Sequence, residues 1–269
     1  GDKSFIQEEN IARIYPNEEL FSHVIGQIDD DNNGISGLEK AYDYELTTSR
    51  NPLRLTLDTD LQYLIREELL KSKDIFENLG SAAILMNINN GDILSMISLP
   101  DFDLNKRKKI NDLKFINRAT KGVYEFGSVF KTFTIAAGIN YGVIKPETEF
   151  KNLKKRIVCA GNPISEYDDK IPSDLKAEEI LVRSGNMGSA RIAEKIGIEN
   201  YSKFLETIGI LKNIDFDIAE VGETQMGRWG KCKLLTIGFG HGIATTLLQL
   251  TKGYSIISNG GFEVFPTLI

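Results

Sequence analysis

The chain has 269 residues, of which 41% are apolar and 26% are charged, as is ordinary for a globular protein with a sizeable core. Its net charge of −6 argues against a nucleic-acid binder. No apolar run reaches the roughly 18 residues that a membrane-spanning helix needs, and no signal peptide is visible. The start at Gly1-Asp2-Lys3 is expected to be a trimmed N-terminus rather than a natural one.

Few side chains are available for metal binding or redox chemistry. Cys159 and Cys232 lack the spacing of a metal site or a redox pair, and we expect them to be free, partly buried thiols. His23 and His241 have no cluster of acidic residues near them in sequence, which argues against a zinc site. No cofactor is predicted. A serine hydrolase with a histidine base stays open as an alternative, although it has few candidate residues.

Residues 1–50 differ in character from the rest of the chain and are predicted to form an extended arm or accessory lobe. The acidic stretch 27–34 is interpreted as a solvated surface loop, because the glutamate of an EF-type calcium loop is missing. Residues 36–42 can form a short helix. The arm is expected to end at residue 50, ahead of a second unit over residues 51–269.

The second unit is predicted to begin with a strand, a helix and a hairpin. Apolar and polar residues alternate over 53–57, which predicts a strand. Asp58 or Thr59 can cap the helix that follows. Strands over 81–88 and 92–98 are joined by an Asn-Asn-Gly turn, which is a strong hairpin signal. The apolar stripe of the helix consists of Leu61, Leu64, Ile65 and Leu69.

A turn at Gly127 is predicted to lead into the most apolar helix of the chain. Ser128 and Lys131 lie in its first turn, three residues apart and therefore on one face. The helix is expected to be buried nearly all round, because few of its positions are polar. Its apolar residues are Val129, Phe130, Phe133, Ile135, Ala137 and Ile139.

The burial of Lys131 points to chemistry. A lysine drawn into an apolar core must have a partner or lose its charge. A neutral lysine beside the Ser128 hydroxyl is a base beside a nucleophile; the alternative is a buried structural lysine. The Ser-x-x-Lys pattern is weak alone, because Ser173 and Lys176 also match it. There we expect Ser173 to cap a helix and Lys176 to be exposed.

Two further helices are predicted over 173–183 and 188–195, with a break at residues 184–186 between them. At this break Ser184 could relay a proton to a leaving amine. Asn186 offers both a donor and an acceptor, which suits it to holding a peptide bond. The same Ser-x-Asn pattern occurs again in the linker near residue 50, so this motif is also weak alone.

The remaining sequence predicts loops, one more helix and a final strand. A solvated loop is predicted over residues 101–121, which include four consecutive basic residues. The polar stretch 211–231 is interpreted as an irregular segment. Thr246 can cap a buried helix that runs to about Ile257, and residues 262–269 have a strand-like pattern. The order of elements predicts an α+β protein in which helices flank an antiparallel sheet, rather than a doubly wound parallel one.

These motifs belong to a longer series that runs in one order along the chain. The series comprises residues 21–26, 37–43, 55–62, 90–96, 117–119, 124–128, 238–242 and 248–250. Taken together, it resembles the class B penicillin-binding proteins, the D,D-transpeptidases that cross-link peptidoglycan. The Gly-His-Gly form at residues 240–242 is more similar to the septum-forming, cell-division subclass than to the elongation subclass. The resemblance implies a transpeptidase fold of the serine β-lactamase type, incomplete at its C-terminus.

The resemblance implies a role for each site residue. Ser128 would attack the penultimate D-Ala carbonyl of a stem peptide, and Lys131, held neutral, would take its proton. Ser184 would pass a proton to the departing D-Ala, and a second stem-peptide amine would resolve the acyl-enzyme. β-Lactams would be trapped at the same serine. The residues expected to bind the substrate are Asn186, Gly127 and Gly185.

Three departures from the family pattern stand out. Phe126 and Leu247 replace prolines, and both changes are expected to be tolerated because a first-turn proline is helpful rather than required. The family's Lys-Thr/Ser-Gly strand motif is absent from these 269 residues. That strand supplies a second oxyanion donor, whose loss typically costs about a hundred- to a thousandfold in rate. The chain as given is therefore expected to be acylated poorly or not at all.

The resemblance also implies a cellular setting. The parent protein would be anchored in the inner membrane by an N-terminal helix and face the periplasm. Residues 1–50 would be a membrane-proximal segment of dimerisation type that contacts other membrane-bound division proteins.

His241 is interpreted as structural rather than as a base. Two alternatives of other classes stay open: a non-catalytic penicillin-sensing or scaffold domain, and a serine β-lactamase.

Overall fold

In the computed structural model, which describes residues 13–106 and 113–269, helices surround short antiparallel sheets. The helices are α1 (Ser22–Ile25), α2 (Gly37–Ala41), α3 (Asp43–Thr48), α4 (Thr59–Phe76), α5 (Lys131–Asn140), α6 (Ala177–Val182), α7 (Asn186–Ile196), α8 (Ile198–Thr207), α9 (Lys231–Ile237) and α10 (Leu247–Ser258). The strands are β1 (Ser81–Met86), β2 (Ile93–Leu99), β3 (Val123–Tyr124), β4 (Glu149–Phe150), β5 (Arg156–Cys159), β6 (Asn162–Ser165), β7 (Leu175–Lys176), β8 (Gln225–Met226) and β9 (Ile243–Thr246). The predicted α+β class is confirmed.

Two antiparallel pairings organise the region around the first motif. Strands β1 and β2 form the predicted hairpin, with Ile84 opposite Met96. Strand β9 lies between β3 and β8, with Tyr124 opposite Thr245. The second pairing places the chain just before Ser128 beside the chain just after residue 242, although these segments are more than 100 positions apart.

The strand predicted over 53–57 does not form, and the run 262–269 makes only an isolated bridge, between Thr267 and Asp92. The Thr56 N–H donates to the Leu268 carbonyl over 2.9 Å, so the two stretches do lie side by side. The backbone bonds between them are too few to make a regular ladder, so neither predicted strand is formed.

Helix α4 begins where predicted, since the Asp58 carboxylate accepts hydrogen bonds from the first N–H groups of the helix. The predicted apolar stripe is only partly correct, because Leu64 is 57% exposed. The buried residue is instead Gln62, whose amide bonds to the backbone of Leu20 and of Met96. None of the helices in the described ranges is both long and apolar enough to cross a bilayer.

The helix predicted over 173–183 starts later than expected, at the first residue of α6. Strand β7 pairs with β4 immediately before it, which keeps the backbone extended up to Lys176. The predicted Ser173 cap is wrong, because α6 has Lys176 at its N-cap and the Ser173 hydroxyl donates to the Asp174 carboxylate. Lys176 is exposed as expected. By contrast, the Thr246 cap of α10 is confirmed by its 3.0 Å bond from the Gln249 N–H.

A large apolar cluster joins most elements, and a smaller one lies beneath the β5–β6 hairpin. Val24 and Leu38, from the first 50 residues, belong to the same large cluster as Ile93. The domain boundary at residue 50 stays a prediction. Of the basic run at residues 106–109, only Lys106 belongs to the described part of the chain. The small cluster consists of Ile164, Met187, Ala190, Leu235 and Phe239.

The expectation of free thiols is wrong, because Cys159 and Cys232 form a disulfide with a Cα–Cα distance of 5.6 Å. The bond joins the end of β5 to the first turn of α9 across 73 positions of sequence. Sequence spacing cannot reveal such a pair, since it depends on how the hairpin packs on α9. The hairpin is therefore joined to α9 both by this covalent bond and by the packing of the small cluster.

We expect the disulfide to stabilise the fold by about 4 kcal/mol, the loop-entropy value for a closed loop of this length. Replacing both cysteines with serine should lower the midpoint of urea unfolding accordingly, and reduction of the unaltered chain should have the same effect. The double variant itself should not respond to reductant. An unchanged midpoint in both experiments would contradict the expectation.

Candidate active site

The turn before α5 is shaped by Gly127, whose φ of 58° lies in the left-handed region that favours glycine. A 3₁₀ turn over Gly127–Phe130 precedes α5, so Ser128 sits on the turn and Lys131 begins the helix proper. The expectation that this helix is buried nearly all round is wrong, because Val129 and Ile139 are 46% and 48% exposed. One face packs on the core and the other meets solvent.

Lys131 lies under the exposed Ser128 and is itself only 1% exposed. Its Nζ is 3.1 Å from the Ser128 Oγ and 2.9 Å from the Ser184 Oγ. It also donates to the Ser184 carbonyl oxygen. The structure thus brings together three of the predicted residues around one buried amine, with the Ser128 hydroxyl open to a ligand.

Ser184 reaches the amine because of an unusual backbone. Its φ of 54° is in the left-handed region, which is energetically unfavourable for any residue that has a Cβ. Helix α6 has just ended, and the Ser184 and Gly185 N–H groups bond back to Leu181 and Ile180. This reversal points both the carbonyl and the hydroxyl of Ser184 toward Lys131.

Asn186 and Gly185 lie at the start of α7, where Gly185 is the N-cap and brings no side chain to it. The Asn186 amide donates to the Ser165 carbonyl over 3.0 Å, so its Nδ2 is held by the β5–β6 hairpin. The Asn186 N–H donates to the Glu166 carboxylate over 2.7 Å. The hydrogen bonds of Lys131 go to Ser128 and Ser184. Asn186 lies two positions after Ser184 in the chain, and its own bonds go to Ser165 and Glu166.

Burial lowers the pKa of the Lys131 ammonium from 10.5 to about 8, and the nearby Glu166 carboxylate opposes this shift. The ammonium consequently stays the major form at pH 7, with about a tenth of the amine neutral. The expectation that Lys131 is held neutral is therefore too strong at that pH. The amine is nevertheless a far more available base than a surface lysine.

The segment after α9 forms another wall of the site. A Cβ on Gly240 would lie 2.0 Å from the Gly127 carbonyl oxygen, so these two backbones touch directly. The Gly242 N–H donates to the Glu125 carboxylate over 2.9 Å. His241 is exposed, and its ring lies 5.2 Å from that of Phe239. The Gly-His-Gly segment thus supports the turn that holds Ser128.

Sequence reasoning missed several polar contacts beneath this turn. The buried Thr134 hydroxyl donates to the Gly238 carbonyl over 2.8 Å and accepts from the Tyr201 hydroxyl at 2.6 Å. The Tyr254 hydroxyl donates to the Val129 carbonyl over 2.6 Å. No local pattern marks these residues, because each pair is brought together by packing between separate helices.

We expect the Lys131 amine to titrate near pH 8 in the folded chain. Since the unfolded chain keeps a higher pKa, it binds the extra proton between about pH 8 and 10.5, so stability should rise with pH across that window. Carbon NMR of lysine labelled at Cε would give the midpoint, and Lys131→Met would identify the resonance and abolish the rise. A midpoint near that of ordinary lysines would contradict the expectation.

We expect Gly240→Ala to lower the free energy of unfolding by about 3 kcal/mol or more. The new Cβ would clash with the Gly127 backbone, and the left-handed φ of this position is unfavourable for alanine. Gly261→Ala is the matched control: its φ of 94° is equally left-handed, but nothing lies within 4 Å of the added Cβ. The control should cost about 1 kcal/mol. Equal losses in urea unfolding would show that the contact with Gly127 is unimportant.

Comparison with known proteins gives consistent matches. A family model described as the penicillin binding protein transpeptidase domain matches residues 81–269. A probable peptidoglycan D,D-transpeptidase FtsI of Caulobacter vibrioides is 30% identical over 97% of this chain and 45% of its own length. The peptidoglycan D,D-transpeptidase FtsI of Escherichia coli K12 is 26% identical over 94% of this chain and 47% of its own length. The chain spans about half the length of the curated relatives it matches.

Solved structures show the same fold. Penicillin binding protein 3 of Mycobacterium tuberculosis, in its apo form, matches with a TM-score of 0.86 at 24% identity, over 96% of this chain and 61% of that one. That protein has also been solved in complexes with aztreonam and with ampicillin. The predicted transpeptidase fold is confirmed. The family model covers more than half of the residues of this chain, and the chain therefore belongs to the family of penicillin binding protein transpeptidase domains.

Proposed function

We propose that this chain is the transpeptidase unit of a class B penicillin-binding protein that cross-links peptidoglycan during cell division. The observation that supports it best is the buried Lys131 amine within hydrogen-bond reach of both the Ser128 and the Ser184 hydroxyls. A base held against an exposed nucleophile is the arrangement that acyl transfer through a serine requires. The names of the relatives, which are peptidoglycan D,D-transpeptidases, agree with this chemistry.

The proposed reaction begins with the Ser128 Oγ attacking the penultimate D-Ala carbonyl carbon while its proton passes to the neutral Lys131 amine. The carbon–nitrogen bond then breaks, and the departing D-Ala amine receives a proton by way of the Ser184 hydroxyl. The amine of a second stem peptide attacks the acyl-enzyme and releases Ser128. Asn186 would hold the substrate amide, and Gly127 and Gly185 would let the substrate backbone approach closely.

A β-lactam would be attacked in the same way, but the amine released from its ring stays tethered to the acyl group. The adduct is therefore expected to persist. Glu166 is a carboxylate close to the site, and both of its oxygens already accept backbone N–H groups of α7. This occupation argues against a free base that would activate water, and it favours a transpeptidase over a serine β-lactamase.

The setting is also part of the proposal. The parent protein would act at the periplasmic face of the inner membrane, held there by a membrane anchor. Residues 1–50 would form a membrane-proximal segment of dimerisation type that meets membrane-bound division proteins. Stem peptides are its expected substrates and β-lactams its expected inhibitors. The FtsI names of the relatives and the Gly-His-Gly segment support the role in cell division.

We expect penicillin to label Ser128 slowly and covalently, adding the mass of one whole β-lactam molecule. Labelling should be slow because the 269 residues hold no Lys-Thr-Gly or Lys-Ser-Gly triplet, whose oxyanion donor is worth about a hundred- to a thousandfold in rate. Mass spectrometry of the intact chain and of its peptides over several hours would follow the adduct. The rate should rise with pH up to the pKa of Lys131, because only the neutral amine can accept the proton.

Ser128→Ala should abolish the adduct, whereas Ser173→Ala, in the second Ser-x-x-Lys pattern, should leave it unchanged. Lys131→Met should abolish it while keeping the fold. Prompt labelling would refute the expected defect in rate, and labelling at another serine would refute the role of Ser128. Steady hydrolysis of the drug would favour a β-lactamase. A stable adduct without D-Ala release from a peptide mimic would favour a penicillin sensor.

A further inference from the structure

The start of α7 is capped from outside the helix. Gly185 occupies the N-cap position without a side chain, so the first N–H groups of α7 need another acceptor. The Glu166 carboxylate supplies it: one oxygen accepts from the Asn186 N–H over 2.7 Å and the other from the Met187 N–H over 3.0 Å. A negative charge at a helix N-terminus is also favoured by the helix dipole.

We propose that Glu166 is a positioning residue of this site, which fixes Ser184 and Asn186 relative to Lys131 by holding the first turn of α7. The proposal rests on the proposed function for its effect on acylation. The positioning of α7 does not rest on it, because the two hydrogen bonds join Glu166 to the helix turn that begins two residues after Ser184.

Glu166 can position α7 because its own segment is held firmly. It directly follows β6, and its N–H donates to the Lys155 carbonyl over 2.9 Å. The hairpin is joined to α9 by the disulfide of Cys159 and packs on α7 through the small apolar cluster. The neighbouring Ser165 carbonyl accepts from the Asn186 side chain over 3.0 Å. Ser165, the last residue of β6, and Glu166 after it therefore both accept hydrogen bonds from Asn186.

The charge of Glu166 also reaches the amine. Among the described residues, Glu166 is the charged group that acts on the Lys131 ammonium, and it raises the pKa that burial lowers. The Tyr167 ring also lies near the amine, with its centroid 5.9 Å from the Lys131 Nζ. Removing the Glu166 charge should therefore lower the pKa of Lys131 further, an effect that a merely structural residue would not have.

The test uses Glu166→Gln in the full chain, with three measurements. The titration midpoint of Lys131, followed by carbon NMR, should move below its value in the unaltered chain. Hydrogen exchange of the Asn186 and Met187 amides should quicken about tenfold, as expected for the loss of one charged hydrogen-bond acceptor. Labelling by penicillin should slow about tenfold at a pH where Lys131 is neutral, the size of effect that a lost helix cap can have on a barrier.

The matched control is Asp58→Asn, since the Asp58 carboxylate also accepts two N–H groups at the start of a helix, α4. The control should lower stability without changing the Lys131 midpoint, the α7 amides or the labelling rate. If Glu166→Gln does not fold, Glu166→Asp keeps the charge but shortens the reach. It should quicken the same two amides while leaving the midpoint near its original value.

An unchanged Lys131 midpoint in Glu166→Gln, or amides of α7 that exchange as slowly as before, would overturn the proposal. So would a control that alters the labelling rate as much as the Glu166 variant does. The titration and the exchange do not depend on any reaction with penicillin. If Ser128 is never labelled in the unaltered chain, the proposed function fails while these two measurements still decide the role of Glu166.

Discussion

An amine held out of water between two serine hydroxyls is the constraint on which the rest of this site depends. Lys131 meets three acceptor oxygens, which are the Ser128 hydroxyl and the hydroxyl and carbonyl of Ser184. An ammonium has three N–H donors, so the arrangement suits the charged form. When the amine loses a proton, one contact must reverse, and a carbonyl cannot donate. One of the hydroxyls can then donate to the amine, and when it is that of Ser128 the contact has the direction that the proposed attack requires.

Three separate segments form this arrangement, and each contains a residue with a left-handed backbone conformation. Gly127 and Ser184 take left-handed φ values of 58° and 54°, and Gly240 touches the Gly127 backbone directly. Strand β9 pairs with β3, and this pairing sets the third segment beside the turn that carries Ser128. Of these three residues only Ser184 is strained by this conformation, because glycine adopts it readily. The reversal at Ser184 is held by the Ser184 and Gly185 N–H groups, which bond back to Leu181 and Ile180.

What the sequence revealed about this site was local, and what it hid was long-range. Ser128 and Lys131 are three positions apart, so their contact follows from helical geometry alone. Hairpin and cap signals, such as those at Asp58 and Thr246, depend equally on near neighbours. The disulfide spans 73 positions, and Glu166 lies 20 positions before Asn186. These contacts exist only because the β5–β6 hairpin packs on α7 and α9, and no spacing rule encodes that packing.

Two opposing effects set the basicity of the amine. Burial disfavours the ammonium, and the Glu166 carboxylate favours it, so that the pKa of Lys131 falls to about 8 rather than further. A base is most effective when its pKa lies near the working pH, because a lower value would weaken its pull on the proton and a higher one would leave it charged. The carboxylate that accepts the first N–H groups of α7 therefore also moderates the basicity of this amine. In this site the fixing of geometry and the tuning of charge come from the same side chain.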